Sequence, residues 1–294
     1  MRGQIKLKNK LIIIGTLILI FLSFSFLIFK MWVRNNVSNP QIAVLMYHQV
    51  IEDDLYNGQA DTIKLSTFEK HLNYFKEHNY KTLTLDEFYC WKKGKCEIPT
   101  KSVLLTFDDG FYSFHYLVEP LLKKYNFHAI NFVIGNTLPE ITKEYKMMEY
   151  GTIGIDLIEN HSEYVDYQSH SYGMHTLVDG KQRIYSMTNE EIQSDLDKMA
   201  EISNFEYISY PYNTEVDEFI ALLKANKYKL GFRGENEKAS RNCNDYQVPR
   251  IGIREDFSHF KTIFESTKYN NRYGCGLLRK IFVTIERKLN IKLG

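Results

Sequence analysis

Ser102-Val-Leu-Leu-Thr-Phe-Asp-Asp-Gly110 sets an apolar run directly against two adjacent carboxylates. Residues 103–107 read as a buried strand, and Gly110 permits a sharp exit from it. Two like charges at the end of such a strand are unfavourable unless a cation or hydrogen bonds compensate them. Taken alone, the stretch leaves two readings open. One is a strand-to-helix turn in which Asp109 caps the next helix; the other is a carboxylate pair kept for chemistry.

A second cluster, His170-Ser-Tyr-Gly-Met-His175, weighs towards chemistry. Its histidines are five positions apart, so they do not share a helix face, where neighbours lie three or four apart. A loop after a strand over residues 164–169 can bring them together. Two histidines near a spare aspartate suit a divalent metal with an open position for water, and satisfied structural histidines fit the spacing equally well.

The chain has 294 residues and a net charge of +1, with both signs mixed along its length, which argues against a nucleic-acid surface. Residues 11–29 are almost wholly apolar, close to the ~20 residues that span a bilayer. Arg2, Lys6, Lys8 and Lys10 precede that run and only Lys30 and Arg34 follow closely, so the positive-inside rule keeps the N-terminus cytoplasmic. With no small-residue cleavage site after it, the segment reads as an uncleaved signal anchor rather than a cleaved signal peptide. The expected organisation is a basic N-terminus over 1–10, a membrane anchor over 11–29, a linker over 30–41, a catalytic domain over 42–261 and a basic helical extension over 262–294. In that extension Leu278, Phe282, Ile285 and Leu289 fall at helical spacing. Cys90, Cys96, Cys243 and Cys275 are compatible with an oxidising exterior. Cys90 and Cys96 bracket a small loop, and no essential disulfide is expected.

Strand and helix signals alternate through the rest. Strands are expected over 42–47, 81–85, 128–134 and 207–210. Ser66 or Thr67 is expected to cap a helix with Phe68, Leu72 and Phe75 on one face. Another helix is expected from Asp86, and one over 111–125 with Pro120 marking a new start or kink. Thr188-Asn-Glu-Glu191 resembles a capping box opening a helix through Ile202, and a further helix is expected over 215–226. This alternation predicts an α/β fold, a single domain built on a parallel sheet or barrel with its site at the carboxyl ends of the strands. Residues 135–165, of weak periodicity, read as a long loop beside the site with a substrate-covering role. His48 ends the first strand, and Ser209-Tyr-Pro-Tyr-Asn213 follows another, with Pro211 fixing the backbone before Tyr212. Each has a bland reading in isolation, as a hydrogen-bonded loop histidine and a packed turn.

In order, Tyr47-His48, Thr106-Phe-Asp-Asp-Gly110, His170-Ser-x-x-x-His175 and Tyr210-Pro-Tyr212 resemble the polysaccharide deacetylases of carbohydrate esterase family 4, the NodB-like domain. The five-residue histidine spacing, the early His48, Leu45-x-Tyr-His-x-Val50 and Val248-Pro-Arg-Ile251 look like the branch acting on poly-β-1,6-N-acetyl-D-glucosamine in biofilm matrices. The resemblance covers roughly residues 42 to 260 and implies a distorted (β/α) barrel. It implies that Asp109, His170 and His175 hold a divalent metal, zinc first with cobalt or nickel as alternatives. It further implies Asp108 as general base, His48 as general acid, the backbone N–H of Tyr212 as oxyanion donor, and Arg250 as the partner orienting Asp108. The partners expected are an N-acetylglucosamine polysaccharide and the polysaccharide synthesis and export machinery from the resemblance, and the membrane through the apolar segment over residues 11–29.

This chain departs from the wider family at two places. Tyr210 stands where many members carry a base-orienting Arg before the proline, and Ile251-Gly-Ile253 lacks their late catalytic His. Three other readings compete with the β-1,6 deacetylase: a deacetylase of peptidoglycan or another glycan, a glycosidase using Asp108 and Asp109, and a non-catalytic glycan-binding protein. The glycosidase fits poorly, because its carboxyls must stand ~5–9.5 Å apart across a bond and both histidines would go unexplained.

Overall fold

The computed structural model describes residues 2–37, 41–146 and 151–266. Two units divide the chain, residues 1–40 with 272–294 and residues 41–271. Of the first, the described part is helix α1, Arg2–Val37, which continues past the expected end of the apolar run at residue 29. Its stretch Ile13–Lys30 is long and apolar enough to cross a membrane.

Seven strands of the second unit are parallel: β1 (Ala43–Tyr47), β2 (Ser102–Asp108), β3 (Ala129–Val133), β4 (Val165–Ser169), β5 (Tyr207–Ser209), β6 (Leu230–Gly234) and β7 (Val248–Gly252). Each pairs with the next in sequence, and β1 pairs with both β2 and β7, so the sheet closes into a barrel. The register is set by pairs such as Leu45↔Leu105 and Leu45↔Ile251. Closure removes the unpaired strand edges that an open sheet would expose. All seven residues of β2 are buried, as a strand covered on both faces requires.

The strands' period of two divides their side chains between two layers. Leu45, Tyr47, Leu105, Phe107, Ala129 and Val133 pack outward into one cluster with the helices. On the alternate positions Val44, Leu104 and Phe132 are fully buried, and Phe132 meets Phe232 at 5.6 Å between ring centroids. Helix α2 (Leu65–Glu77) contributes Phe68, Leu72 and Phe75 to the outer layer. Its N-cap is Lys64, not Ser66 or Thr67, and carries no side-chain cap. The reason is tertiary: Thr67 spends its hydroxyl on Glu255, and the Ser66 amide is taken by Asp53.

Elsewhere local signals match the structure, except that the strand expected over 81–85 covers only Lys81–Thr82, which pairs in parallel with β2, because Leu85 already opens the next helix. Helix α3 (Leu85–Lys92) starts at a Thr84–Glu87 capping box. A π-helical turn, Phe114–Val118, precedes α4 (Glu119–Tyr125), where Pro120 sits at the start. The short α5 (Ile155–Glu159) is followed by α6 (Asn189–Ile202), capped reciprocally by Thr188 and Glu191. Helix α7 (Asp217–Ala225) precedes β6, and α8 (Phe257–Glu265) follows β7. Helix α8 runs across the expected boundary at residue 262, and Phe260 and Ile263 bury against the core. Leu278, Phe282, Ile285, Leu289 and Cys275 lie outside the described residues. Cys90 and Cys96 are joined in a disulfide, and Cys243 is a buried thiol.

Candidate active site

Asp108 is the last residue of β2, and the chain turns immediately after it. Asp109 takes a positive φ of 76° and Gly110 one of 69°. A Cβ at Gly110 would stand 3.2 Å from Val133 Cγ1, so glycine there serves both the turn and the close approach to β3. Asp109 caps no helix. Strained backbone of this kind is characteristic of sites that must aim a side chain.

The turn points Asp109 at the histidines. Asp109 Oδ1 lies 3.4 Å from His170 Nε2 and 3.5 Å from His175 Nε2. His170 Nδ1 is 2.9 Å from the carbonyl oxygen of Ser209 on β5. A carbonyl only accepts, so Nδ1 carries the proton and Nε2 presents its lone pair. Burial pulls the pKa of His170 below its usual value and outweighs the opposing pull of Asp108 and Asp109. Asp109 Oδ1 is itself buried and accepts no hydrogen bond. Electron-rich atoms thus converge within 4.8 Å of one another, a donor set of two imidazoles and one carboxylate that fits a divalent cation.

Asp108 faces a different neighbour. Arg250 on β7 donates from both Nη atoms, 2.7 Å to Oδ1 and 2.7 Å to Oδ2, and the Ser209 hydroxyl donates to Oδ1 at 3.2 Å. Both members of the pair are buried. Burial alone would raise the Asp108 pKa, but the Arg250 guanidinium, with lesser help from His170 and His48, holds it well below the usual carboxylate range. It is therefore an ionised carboxylate in a buried site.

A cavity of about 440 Å³ gathers these groups. His48, Asp108, Asp109, His170, His175 and Tyr212 all line it, while Arg250 stands behind Asp108. Tyr212 adopts φ 54° and ψ 21° after Pro211, and its ring stacks on His175 at 4.3 Å between centroids. Tyr210 is turned inward, with its hydroxyl donating to the Tyr246 carbonyl. It carries no charge to Asp108, and Arg250 supplies that charge from another strand.

Sequence reasoning missed part of this wall. Gln49, Gln59, Asp61 and Thr62 line the cavity because residues 49–51 and 62–64 form a small parallel pair beside the mouth of β1. Ser209 was also missed as the partner shared by Asp108 and His170. No described residue of 135–165 lines the cavity. That segment instead braces the turn: Gly110 O accepts from Ile153 N, and Tyr112 N donates to Gly151 O.

Charged and imidazole side chains at the carboxyl ends of parallel barrel strands put the candidate site where barrel enzymes hold theirs. A family model described as polysaccharide deacetylase matches residues 95–231. A poly-β-1,6-N-acetyl-D-glucosamine N-deacetylase of Staphylococcus aureus is 31% identical over 213 residues, 67% of this chain and 70% of that protein. One of Staphylococcus epidermidis with the same name is 26% identical over 273 residues, 84% of this chain and 93% of its own. The solved Streptococcus pyogenes deacetylase PplD, in complex with acetate, superposes with a TM-score of 0.63 at 22% identity, covering 77% of this chain and 99% of that one. The chain belongs to the polysaccharide deacetylase family, a class of amide hydrolases.

Proposed function

We propose that the chain is a metal-dependent N-deacetylase of poly-β-1,6-N-acetyl-D-glucosamine, acting outside the cell in biofilm-matrix formation. One observation carries the reading: Asp109 Oδ1, buried and without a hydrogen bond, faces the Nε2 atoms of His170 and His175 beside an ionised Asp108. The names of the staphylococcal relatives support the substrate.

Asp109, His170 and His175 would hold the metal, with zinc the first choice and cobalt or nickel alternatives. When bound, such an ion supplies Lewis acidity towards a water and an acetamide carbonyl. Asp108 accepts the proton of the attacking water, and Arg250 keeps it ionised and aimed. The backbone N–H of Tyr212 donates to the oxyanion as it develops. His48 delivers a proton to the sugar nitrogen, which leaves poorly as an anion. Helix α1 supports an uncleaved anchor with its N-terminus in the cytoplasm, which sets the barrel on the outer side, within reach of polysaccharide synthesis and export machinery.

The test is acetate release from β-1,6-linked and β-1,4-linked N-acetylglucosamine oligomers side by side. Zinc-restored release after chelation, preferring the β-1,6 oligomers and lost in Asp108→Asn, is expected. Preference for β-1,4 oligomers would move the assignment to another glycan. No acetate from either would leave a glycan-binding protein on an enzyme fold. Protease accessibility of the barrel on intact cells checks the orientation.

A further inference from the structure

The loop that carries both histidines has no regular structure, yet the backbone groups of residues 171–174, between them, are all tied. Ser171 sits at φ 67°, which bends the chain immediately after His170. Its N–H donates to Ser169 Oγ, and the Met174 N–H donates to Ser171 Oγ. The carbonyls of Ser171 and Tyr172 accept from Gly135 N at 3.0 Å and Asn136 N at 2.9 Å. The Gly173 carbonyl accepts from Arg183 at 3.2 Å. The Met174 carbonyl accepts from Thr176 N at 2.8 Å, and the N–H groups of Tyr172 and Gly173 both donate to one side chain: Asp195 on α6, at 2.7 Å to Oδ1 and 2.7 Å to Oδ2.

Asp195 is buried, and burial raises its pKa, opposed by those two amides and by the charges of Arg183 and Lys198. Hydrogen bonds accepted by a carboxylate are roughly twice as strong as those to a neutral acceptor, and here two short ones converge on one side chain. Consecutive N–H groups of an extended chain point to opposite sides, so one carboxylate can take both only if the loop is curled about it. The glycines fit this tight arrangement. At Gly135 a Cβ would overlap Tyr172 and Met199, and at Gly173 it would stand 3.3 Å from Asn136 Nδ2. The grip falls midway between His170, anchored to Ser209, and His175, stacked on Tyr212.

We infer that Asp195 is a positioning residue, which sets the separation and aim of the His170 and His175 imidazoles by gripping the two amides between them. The inference rests on the metal reading above. Outer partners that orient ligand loops typically change metal affinity by ~10–100-fold when removed. Asp195 touches neither the cavity nor any reacting atom, so it acts only through the loop.

The experiment is zinc affinity by competition with a chromophoric chelator, read alongside thermal melting of the metal-free proteins. Asp195→Ala is expected to weaken zinc binding about 10-fold or more. Asp195→Asn, near-isosteric and less prone to misfold, keeps an acceptor for one amide and turns a donor on the other, so its affinity should fall between wild type and Asp195→Ala. Glu201→Ala, exposed on the same helix, should leave zinc affinity unchanged. A merely structural residue would lower the melting temperature and leave the affinity of the folded protein intact, and that result in Asp195→Asn would overturn the inference. Wild-type protein that binds no zinc would overturn the metal centre itself, a failure distinguishable from the first.

Discussion

Arg250 clamps Asp108 with two parallel hydrogen bonds of 2.7 Å across the inside of the barrel, from strands that are not neighbours. Asp108 ends β2 and Arg250 lies on β7, with β1 hydrogen-bonded between them. The guanidinium also lies over the ring of Phe132 at 5.7 Å. Closure of the barrel therefore creates the ion pair, and the pair in turn makes a buried carboxylate tolerable.

Removing the cation should reveal that dependence. Arg250→Met leaves Asp108 buried without its counter-charge, at a cost of about 3–5 kcal/mol of stability. Chemical denaturation is expected to report that loss together with abolished acetate release. Adding Asp108→Asn to the variant should recover stability and no activity. Full activity in Arg250→Met would sink the assignment of Arg250 as the partner of the base.

His48 is tested by the leaving group. His48→Ala is expected to lower kcat for acetamide hydrolysis by ~10²–10⁴-fold, the usual worth of a general acid. An activated ester such as p-nitrophenyl acetate departs without a proton, so the same variant should hydrolyse it at nearly the wild-type rate. Equal losses on both substrates would assign His48 to binding or to structure.

His71 sets an acid limit on stability. It is buried, stacks on Phe260 of α8 at 3.8 Å between centroids, and its Nδ1 meets Tyr47 Oη at 3.1 Å. Burial, with a small contribution from Lys70, lowers its pKa from 6.5 to about 3. Between those values the unfolded chain takes up a proton that the folded protein refuses. Stability should then fall by roughly 1 kcal/mol per pH unit as pH drops from about 6.5 towards 3, with no contribution from this group above that window. Urea melts of wild type and His71→Phe across pH 4–7 measure it. Parallel pH profiles for the two proteins would show that His71 does not set the slope.

The inward Tyr210 depends on a glycine in the neighbouring strand. A Cβ at Gly231 would overlap the Tyr210 hydroxyl, which donates to the Tyr246 carbonyl. Gly231→Ala should destabilise by about 1–3 kcal/mol through overpacking. Gly231→Ala with Tyr210→Phe should recover part of the loss, and thermal melting of both reads it. A neutral Gly231→Ala would mean the tyrosine can move at no cost.

Some of this architecture was legible because its causes are local. The Thr188–Glu191 box opens α6 as read, since the four residues satisfy one another without outside help. Pro120 marks a new helical start for a reason internal to its ring. Where a distant group intervenes, local reasoning fails. Thr67 and Ser66 were plausible caps until Glu255 and Asp53 claimed them. A covering role was expected of residues 135–165, and none of the described residues there lines the cavity. Weak periodicity signals a loop but not its direction, and it was residues 59–62, drawn in by pairing with residues 49–51, that walled the cavity.

The sequence by itself determined the order of strands and helices, because period and capping are written within a few residues. It also brought forward Asp108, Asp109, His170 and His175 as candidate site residues, because their motifs make sense together although each has a bland reading alone. The tertiary structure alone shows what each carboxylate faces. Asp108 and Asp109 are neighbours with the same side chain, yet the positive φ of Asp109 turns it to His170 and His175 while Asp108 continues the strand to meet Arg250. Those partners come from strands far apart in sequence: the register that closes β1 onto β7 brings Arg250 within 3 Å of Asp108, and the loop after β4 brings His170 and His175 to 3.4 and 3.5 Å from Asp109.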